Sequence, residues 1–260
     1  MSDMLLQTTD KGVHTITLNR PEIRNAFNDV LIGEIHQAFD AVSRRSDVRC
    51  VVLAANGPAF CAGGDLNWMR RMADYTREQN LADAQALAQM LHTLDQCPHP
   101  TIARVQGDVF AGGLGLLSAC DVVVCANSAT FCLSEVKIGL IPATISPYVV
   151  RAIGARAARR YFMTAERFSA AEAYRIGLVH ESVPADQLDA TVQTLVQTLC
   201  ANSPMAVRDA KRLVDTVAGQ AIDKALIART VAGIADSRAS VEGKEGVQAF
   251  LDKRKPNWLS

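Results

Sequence analysis

The sequence has few aromatic residues, 5% of 260, and no excess of either charge, because 27 lysines and arginines balance 27 aspartates and glutamates. No basic cluster is interleaved with aromatic side chains, the pattern typical of nucleic-acid grooves and of proteins that bind anionic membranes. The apolar runs are broken by Asp or Pro before they reach a length that spans a bilayer. We therefore expect a small-molecule partner, and neither a nucleic acid nor a membrane.

Paired cysteines and a secretion signal are also lacking. The seven cysteines include no Cys-x-x-Cys pair, and most of them lie within apolar runs. The first residues show neither the basic and apolar pattern of a signal peptide nor the Arg- and Ser-rich composition of a transit peptide. These features predict reduced cysteines and a cytoplasmic protein.

Several catalytic signatures are missing as well. The five histidines have no metal-ligand spacing, so no metal site is predicted, and neither a Gly-x-Ser-x-Gly motif nor a Walker loop occurs. GLGLLS at 113–118 is similar to a dinucleotide fingerprint, but it ends in Ser118 and no suitably spaced acid follows. Cys61 lies beside two glycines and is a candidate nucleophile, although no histidine partner is evident.

The sequence does contain apolar strands that run into glycines and then into helices. Hydrophobic residues make up 49% of the chain, which is long enough to bury a large core. Strands such as Val13–Leu18 and Cys50–Ala54 alternate with helical patterns, which predicts an α/β fold with a parallel sheet. We expect Asn25 or Asn28 to cap a helix that ends near Arg44.

Helical patterns dominate the rest of the chain. Residues 68–97 predict a long helical region, and beyond Ala155 the pattern is helical apart from one short strand. Ser169 followed by Glu172 predicts a capping box at a helix start. The residues expected on the buried side of the first region are Leu81, Ala84, Leu87, Ala88 and Leu91.

Two glycine turns are the strongest candidates for chemistry. Gly64 precedes Asp65, which is placed to cap a helix, and Gly112 and Gly113 open a second helix. The N–H groups at a helix start lack intrahelical partners and stabilise an anion or a developing oxyanion. The alternative is that the glycines only allow close packing of helix on strand. Because the strands are expected to be parallel, both turns should lie at one edge of a sheet.

Six stretches, in order along nearly the whole chain, resemble the enoyl-CoA hydratase/isomerase (crotonase) family: LNRPEIRNAFN, AFCAGGDL, GDVFAGGLGLLSACD, SEVKIGLIP, AERFSAAEAYRIGLVHESV and AFLDKRKPNW. The resemblance implies a crotonase (ClpP-like) spiral of β-β-α turns over residues 1–195. It implies that residues 196–260 form a helical C-terminal segment for trimerisation and active-site cover. It also implies an acyl-CoA thioester substrate, no metal or organic cofactor, and a homo-oligomer that is a trimer or a dimer of trimers.

The resemblance also assigns roles to individual residues. The family's two oxyanion donors correspond to the backbone N–H groups of Gly64 and Gly112, and the second catalytic glutamate corresponds to Glu135 in SEVKIGLIP. Two preorganised N–H donors stabilise the enolate that forms on the thioester oxygen, and a carboxylate moves the proton. The positions that correspond to substrate or CoA contacts are Arg24, Ala62, Asp65, Leu66, Gly113, Phe250 and Lys253.

Two departures from the family pattern leave the reaction open. Gly115 stands where standard hydratases have their first catalytic glutamate, and PATISPYVV replaces a glycine-rich PGAGGTQ-like segment. The interpretations are an enoyl-CoA hydratase that uses Glu135 as acid and base, a Δ3,Δ2-enoyl-CoA isomerase with that single base, or an acyl-CoA-binding protein without turnover. Together the departures are similar to a branched-acyl, methylglutaconyl-CoA hydratase-like branch, in which the missing side chain leaves room near C3.

Overall fold

The strands of the protein form two sheets, as seen in the computed structural model, which describes residues 3–259. The larger sheet has the order β1-β2-β3-β5-β7-β10, and the smaller one has the order β4-β6-β8-β9. Neighbouring strands are parallel except in the pairs β1–β2 and β8–β9. In chain order the strands are β1 (Leu5–Asp10), β2 (Val13–Leu18), β3 (Cys50–Ala55), β4 (Ala59–Cys61), β5 (Thr101–Val105), β6 (Asp108–Phe110), β7 (Val122–Ala126), β8 (Thr130–Cys132), β9 (Phe168–Ser169) and β10 (Glu181–Val183).

Helices follow the strand pairs and then make up the C-terminal part of the chain. Short 3-10 segments occur at Pro21–Ile23, Glu135–Ile138, Ala185–Gln187 and Asn257–Leu259. The α-helices are α1 (Asp29–Ser43), α2 (Leu66–Ala73), α3 (Arg77–Asp95), α4 (Gly112–Ala119), α5 (Ser146–Thr164), α6 (Ala170–Arg175), α7 (Leu188–Ala201), α8 (Pro204–Val217), α9 (Lys224–Ala239) and α10 (Val241–Leu251).

The central repeat is two strands followed by a helix, which confirms the predicted spiral of β-β-α turns. In β3-β4-α2 and β5-β6-α4 the first strand joins the larger sheet and the second joins the smaller sheet, whereas β1 and β2, which precede α1, both belong to the larger sheet. Strand β3 is buried along its whole length, because α1 and α3 lie on one side of the larger sheet and α7 covers the other. The sequence pattern predicted β2 but missed β4 and β6, because three residues are too few to show alternation.

Local signals for helix starts were partly correct. Asn28 caps α1 by accepting a hydrogen bond from the Leu31 N–H, whereas Asn25 is buried and its amide donates to two backbone carbonyl groups. Ser169 caps α6, but the Glu172 side chain pairs with Arg175 and does not complete a capping box.

The predicted helical region at 68–97 is two helices, because Thr76 forms a complete capping box and starts α3 afresh. The predicted burial of Leu81 is wrong. Its side chain is 60% exposed, and the fully buried side of α3 begins only at Met90 and continues through Leu91 and Leu94. The first half of α3 therefore presents apolar atoms to solvent.

The C-terminal helices contribute little to the core of the single chain. Helix α7, which contains the predicted boundary at residue 195, packs on the larger sheet. Helices α8 and α9 have no buried residue, and α10 buries only Ala249. Large apolar side chains remain exposed there, including Ile222, Val241 and Phe250. No helix within residues 3–259 is long and apolar enough to cross a membrane.

Candidate active site

Three neighbouring parallel strands of the smaller sheet end at the same edge, and each is followed closely by a predicted catalytic residue. Gly64 follows β4, Gly112 follows β6 and Glu135 follows β8. The expectation that both glycine turns lie at one sheet edge is confirmed, although the sheet is the smaller one. This edge brings together two backbone turns and one carboxyl group that are 71 residues apart at their extremes.

The backbone around Gly64 is fixed by Phe27. The Phe27 N–H donates to the Gly63 carbonyl at 2.7 Å, and the Asp65 N–H donates to the Phe27 carbonyl at 2.6 Å. These two bonds flank Gly64, and its own N–H donates to no acceptor among residues 3–259. A free donor on a backbone held from both sides is suited to bind a ligand oxygen without reorganisation.

The second turn is held by Ala111, which adopts an uncommon conformation with φ 48° and ψ −122°. The Ala111 N–H donates to the Cys132 carbonyl at 2.9 Å, which links the turn to the neighbouring strand. Gly112 is the first residue of α4, and its N–H has no acceptor within the described residues. A Cβ on Gly112 would lie 3.0 Å from the Phe27 ring, so the same phenylalanine contacts both turns.

Glu135 begins the short 3-10 segment after β8 and is half-buried. Its Oε2 atom is buried and accepts no hydrogen bond from residues 3–259. Burial raises the pKa of Glu135, because the carboxylate loses hydration and the hydrogen bond from its own backbone offsets only part of that loss. A carboxyl group with a raised pKa exchanges protons closer to neutral pH, as a general acid or base requires.

The space beside Gly115 is occupied. A Cβ at this position would lie 2.5 Å from Cγ2 of Ile145 and 3.4 Å from Cδ1 of Leu91. The expectation that the missing side chain leaves room near C3 is therefore wrong at Gly115 itself, because an isoleucine from the PATISPYVV segment fills that volume.

Asp65 and Gly113 have structural roles. The Asp65 carboxylate accepts the N–H groups of Asn67 and Trp68 at the start of α2 and pairs with Arg20 at 2.9 Å. Burial opposes ionisation of Asp65, but these hydrogen bonds outweigh it and hold its pKa below the usual range. A Cβ on Gly113 would lie 2.9 Å from the Cβ of a strand β4 residue, so this glycine allows α4 to pack on the smaller sheet.

The interpretation of Cys61 as a nucleophile is not supported. Its side chain is fully buried, and burial raises the pKa of the thiol to about 12. A neutral, enclosed thiol is a packing group and not a thiolate nucleophile.

The residues predicted to contact CoA fall into two groups. The Ala62 N–H donates to the Arg24 carbonyl at 2.9 Å, and Leu66, 69% exposed, follows two residues after Gly64. The Ala62 carbonyl accepts no hydrogen bond from residues 3–259. Phe250 and Lys253 lie at the end of α10, a helix that packs on α8 and α9, and both side chains are exposed. The CoA contacts themselves stay predictions.

Sequence reasoning missed three residues that shape this edge. Phe27 holds one turn and touches the other, Ala111 orients the Gly112 peptide, and Ile145 fills the space at Gly115. All three act through contacts that join distant parts of the chain, and the one available signal was the position of Phe27 just before a helix cap.

Comparison with known proteins decides the family. The family model described as Enoyl-CoA hydratase/isomerase matches residues 8–260. The chain belongs to this family.

Solved members of the enoyl-CoA hydratase/isomerase family share the fold along the whole chain. An enoyl-CoA hydratase structure from Shewanella pealeana is 45% identical, covers 98% of this chain and 96% of its own, and gives a TM-score of 0.95. An enoyl-CoA hydratase from Mycobacterium smegmatis is 34% identical with full coverage of both chains and a TM-score of 0.94. The 1,2-epoxyphenylacetyl-CoA isomerase of Escherichia coli is 30% identical over 263 residues, 99% of each chain. Membership in the family therefore does not separate hydration from isomerisation.

Proposed function

We propose that this protein is an enoyl-CoA hydratase that adds water across the C2–C3 double bond of a short or branched unsaturated acyl-CoA. One observation carries the proposal: two free backbone N–H groups, on Gly64 and Gly112, share a sheet edge with the half-buried carboxyl group of Glu135. This combination matches the needs of a reaction that builds charge on a thioester oxygen and moves a proton nearby.

In the proposed reaction the thioester oxygen accepts hydrogen bonds from both glycine N–H groups. The oxygen of water adds to C3, Glu135 takes a proton from that water, and the electrons of the double bond move to form the enolate. Glu135 then returns the proton to C2, which collapses the enolate and restores the carboxylate. Each preorganised donor contributes about 3 kcal/mol to the barrier reduction, and proton transfer by a positioned carboxylate about 10²–10⁴-fold. No metal or organic cofactor is needed, because the thioester serves as the electron sink.

A Δ3,Δ2-enoyl-CoA isomerase is the second candidate, and it is favoured by the surroundings of Gly115. One carboxyl group is sufficient for isomerisation, since the same base removes a proton from C2 and returns it to C4. The side chains nearest to the place of a Cβ on Gly115 are apolar, namely Ile145 and Leu91, and glycine itself supplies no second acid.

The test compares wild type with Glu135→Gln on crotonyl-CoA, 3-methylglutaconyl-CoA and a 3-enoyl-CoA. Loss of the conjugated enoyl chromophore measures hydration, and its appearance from the 3-enoyl thioester measures migration. We expect hydration by the wild type and a loss of about 10²–10⁴-fold in the variant. Migration without hydration would make the protein an isomerase, and thioester binding without turnover would make it a binding protein.

Glu34→Gln is the matched control. Glu34 lies on α1 and, like Glu135, has a buried Oε2 atom without a hydrogen-bond partner among the described residues. It does not follow a strand of the smaller sheet, so this variant should keep wild-type turnover. Equal losses in both variants would remove the catalytic role from Glu135.

The proposal includes a homo-oligomer. The exposed apolar side chains of the C-terminal segment, with Ile222 between α8 and α9 86% exposed and Phe250 on α10 83% exposed, support an interface between copies of the chain. Light scattering coupled to size-exclusion chromatography should give a mass of three or six times 28.0 kDa. A monomeric mass would contradict this part of the proposal.

A further inference from the structure

We propose that Ile145 is a specificity-determining residue that excludes any side chain at position 115 and so restricts the site to one carboxyl group. The inference rests on the proposed function and concerns how its acid and base chemistry is limited. Gly115 and Ile145 are then a coupled pair, in which neither residue can be changed independently of the other.

Position 115 lies one helical turn beyond Gly112, the proposed oxyanion donor. Gly112 and Gly115 are three residues apart on α4, so they lie on the same helix face, about 4.5 Å apart along the axis. The Gly112 N–H is the proposed donor to the thioester oxygen. A polar side chain at 115 would therefore stand about one helical turn from that oxygen, within reach of the adjacent acyl carbons.

Ile145 blocks that position. Its Cγ2 and Cβ atoms lie 2.5 Å and 3.0 Å from the place that a Cβ on Gly115 would occupy, which is closer than van der Waals contact allows. Leu91 closes the remaining side at 3.4 Å, and both hydrophobic residues are buried.

The isoleucine has little freedom to move aside. It immediately precedes α5, and its carbonyl accepts the Val149 N–H at 3.1 Å. Since α4 and α5 pack directly on each other, a shift of Ile145 would displace one helix from the other. The blocked volume is thus a property of the helix pair.

A double-mutant cycle on stability tests the coupling without any assumption about activity. Gly115→Ala alone should lower the Tm by about 3–10 °C through overpacking. In the Ile145→Ala background the same change should cost less than half as much, because the Cγ2 contact is gone. Ile102, fully buried on the opposite face of the larger sheet, provides the control, and Gly115→Ala with Ile102→Ala should be additive.

Activity tests the catalytic consequence. We expect the Gly115→Glu variant to fold poorly or to hydrate the thioester no faster than wild type. The double variant Gly115→Glu with Ile145→Ala should hydrate at least ten-fold faster than Gly115→Glu alone. In the Glu135→Gln background, the pair of changes at 115 and 145 should restore hydration at least ten-fold, and Gly115→Glu alone should not.

The outcomes separate this inference from the proposed function. Additive Tm changes would overturn the coupling whatever the activity. An active wild type in which Ile145→Ala brings no gain to Gly115→Glu would overturn the specificity role alone. A wild type silent on all thioesters would overturn the proposed function, and the role of Ile145 with it.

Discussion

Ala111 holds the Gly112 N–H in place at a cost in backbone strain, and this makes a sharp prediction about Ala111→Gly. Its φ of 48° with ψ of −122° lies outside the regions that alanine prefers, and such strain costs about 1–3 kcal/mol. Glycine adopts the same angles freely. Replacement of alanine by glycine lowers stability in ordinary positions, so a gain here would reveal the strain directly.

The magnitude follows from three contributions. Relief of strain adds about 2 kcal/mol to the free energy of unfolding, taken from the middle of the range. The greater freedom of glycine in the unfolded chain subtracts about 0.4–1 kcal/mol, and the lost contact of the half-buried methyl group subtracts at most about 0.8 kcal/mol. The net expectation is a gain of about 0.2–1.6 kcal/mol, or roughly 0.5–6 °C in Tm for a chain of this size.

Thermal and urea denaturation measure this gain, and Ala119→Gly is the control. Ala119 is the buried last residue of the same α4 helix, so its replacement loses a buried methyl group and frees the unfolded chain, and it should cost about 1–2 kcal/mol. The same chemical change should thus have opposite signs at two places eight residues apart. A loss at Ala111 as large as that at Ala119 would refute the strain argument.

Ala111→Gly should also affect catalysis. The ψ angle of Ala111 orients the peptide that carries the Gly112 N–H, and a freer backbone would hold this donor less firmly. Complete loss of an oxyanion donor costs about 10²–10³ in kcat, so partial loss of its orientation should cost less, about three- to ten-fold, with KM little changed. An unchanged kcat would show that the orientation does not depend on Ala111.

Three further predictions concern stability. Asp65→Ala should lower the free energy of unfolding by about 2–4 kcal/mol, because it removes a helix cap and leaves a largely buried arginine without its partner. Asn28→Ala removes a cap alone and should lower it by about 1 kcal/mol in the same denaturation assay. Gly107→Ala should destabilise the protein strongly, since its Cβ would lie 2.0 Å from a carbonyl oxygen. Gly33→Ala, in open space on α1, should instead raise the free energy of unfolding by about 0.5–1 kcal/mol. Similar Tm values for the two variants would contradict the packing argument. Burial raises the pKa of Glu135, so ionisation of this group lowers the stability of the folded protein as the pH rises. Glu135→Gln should therefore have a higher Tm than wild type at neutral pH and lose this advantage below the ordinary glutamate pKa. Tm measured across about pH 4 to 8 tests this.

The site was predictable from the sequence to the extent that its parts are local. Glycines before a helix and Asp65 as a cap are short-range signals, and the structure places these residues as those signals indicate. Glu135 was singled out only by the resemblance to the family, because no local pattern distinguishes it from other carboxyl groups in loops. The prediction of one helical region at 68–97 was wrong, because apolar spacing alone cannot show that Thr76 starts a second helix or that Leu81 has nothing to pack against. Burial depends on neighbours that the local pattern does not contain.

The sequence by itself determined the family and the alternation of strands and helices, and it singled out Gly64, Gly112 and, through the family resemblance, Glu135 as candidate site residues. Only the tertiary structure decided that these positions share the edge of a second, smaller sheet, and that Ile145 occupies the space of a side chain at Gly115. The physical reason is that the first set depends on backbone conformation and short spacings, which neighbouring residues fix. The second depends on the packing of α4 against α5 and of one strand on the next, which arises only when the chain folds.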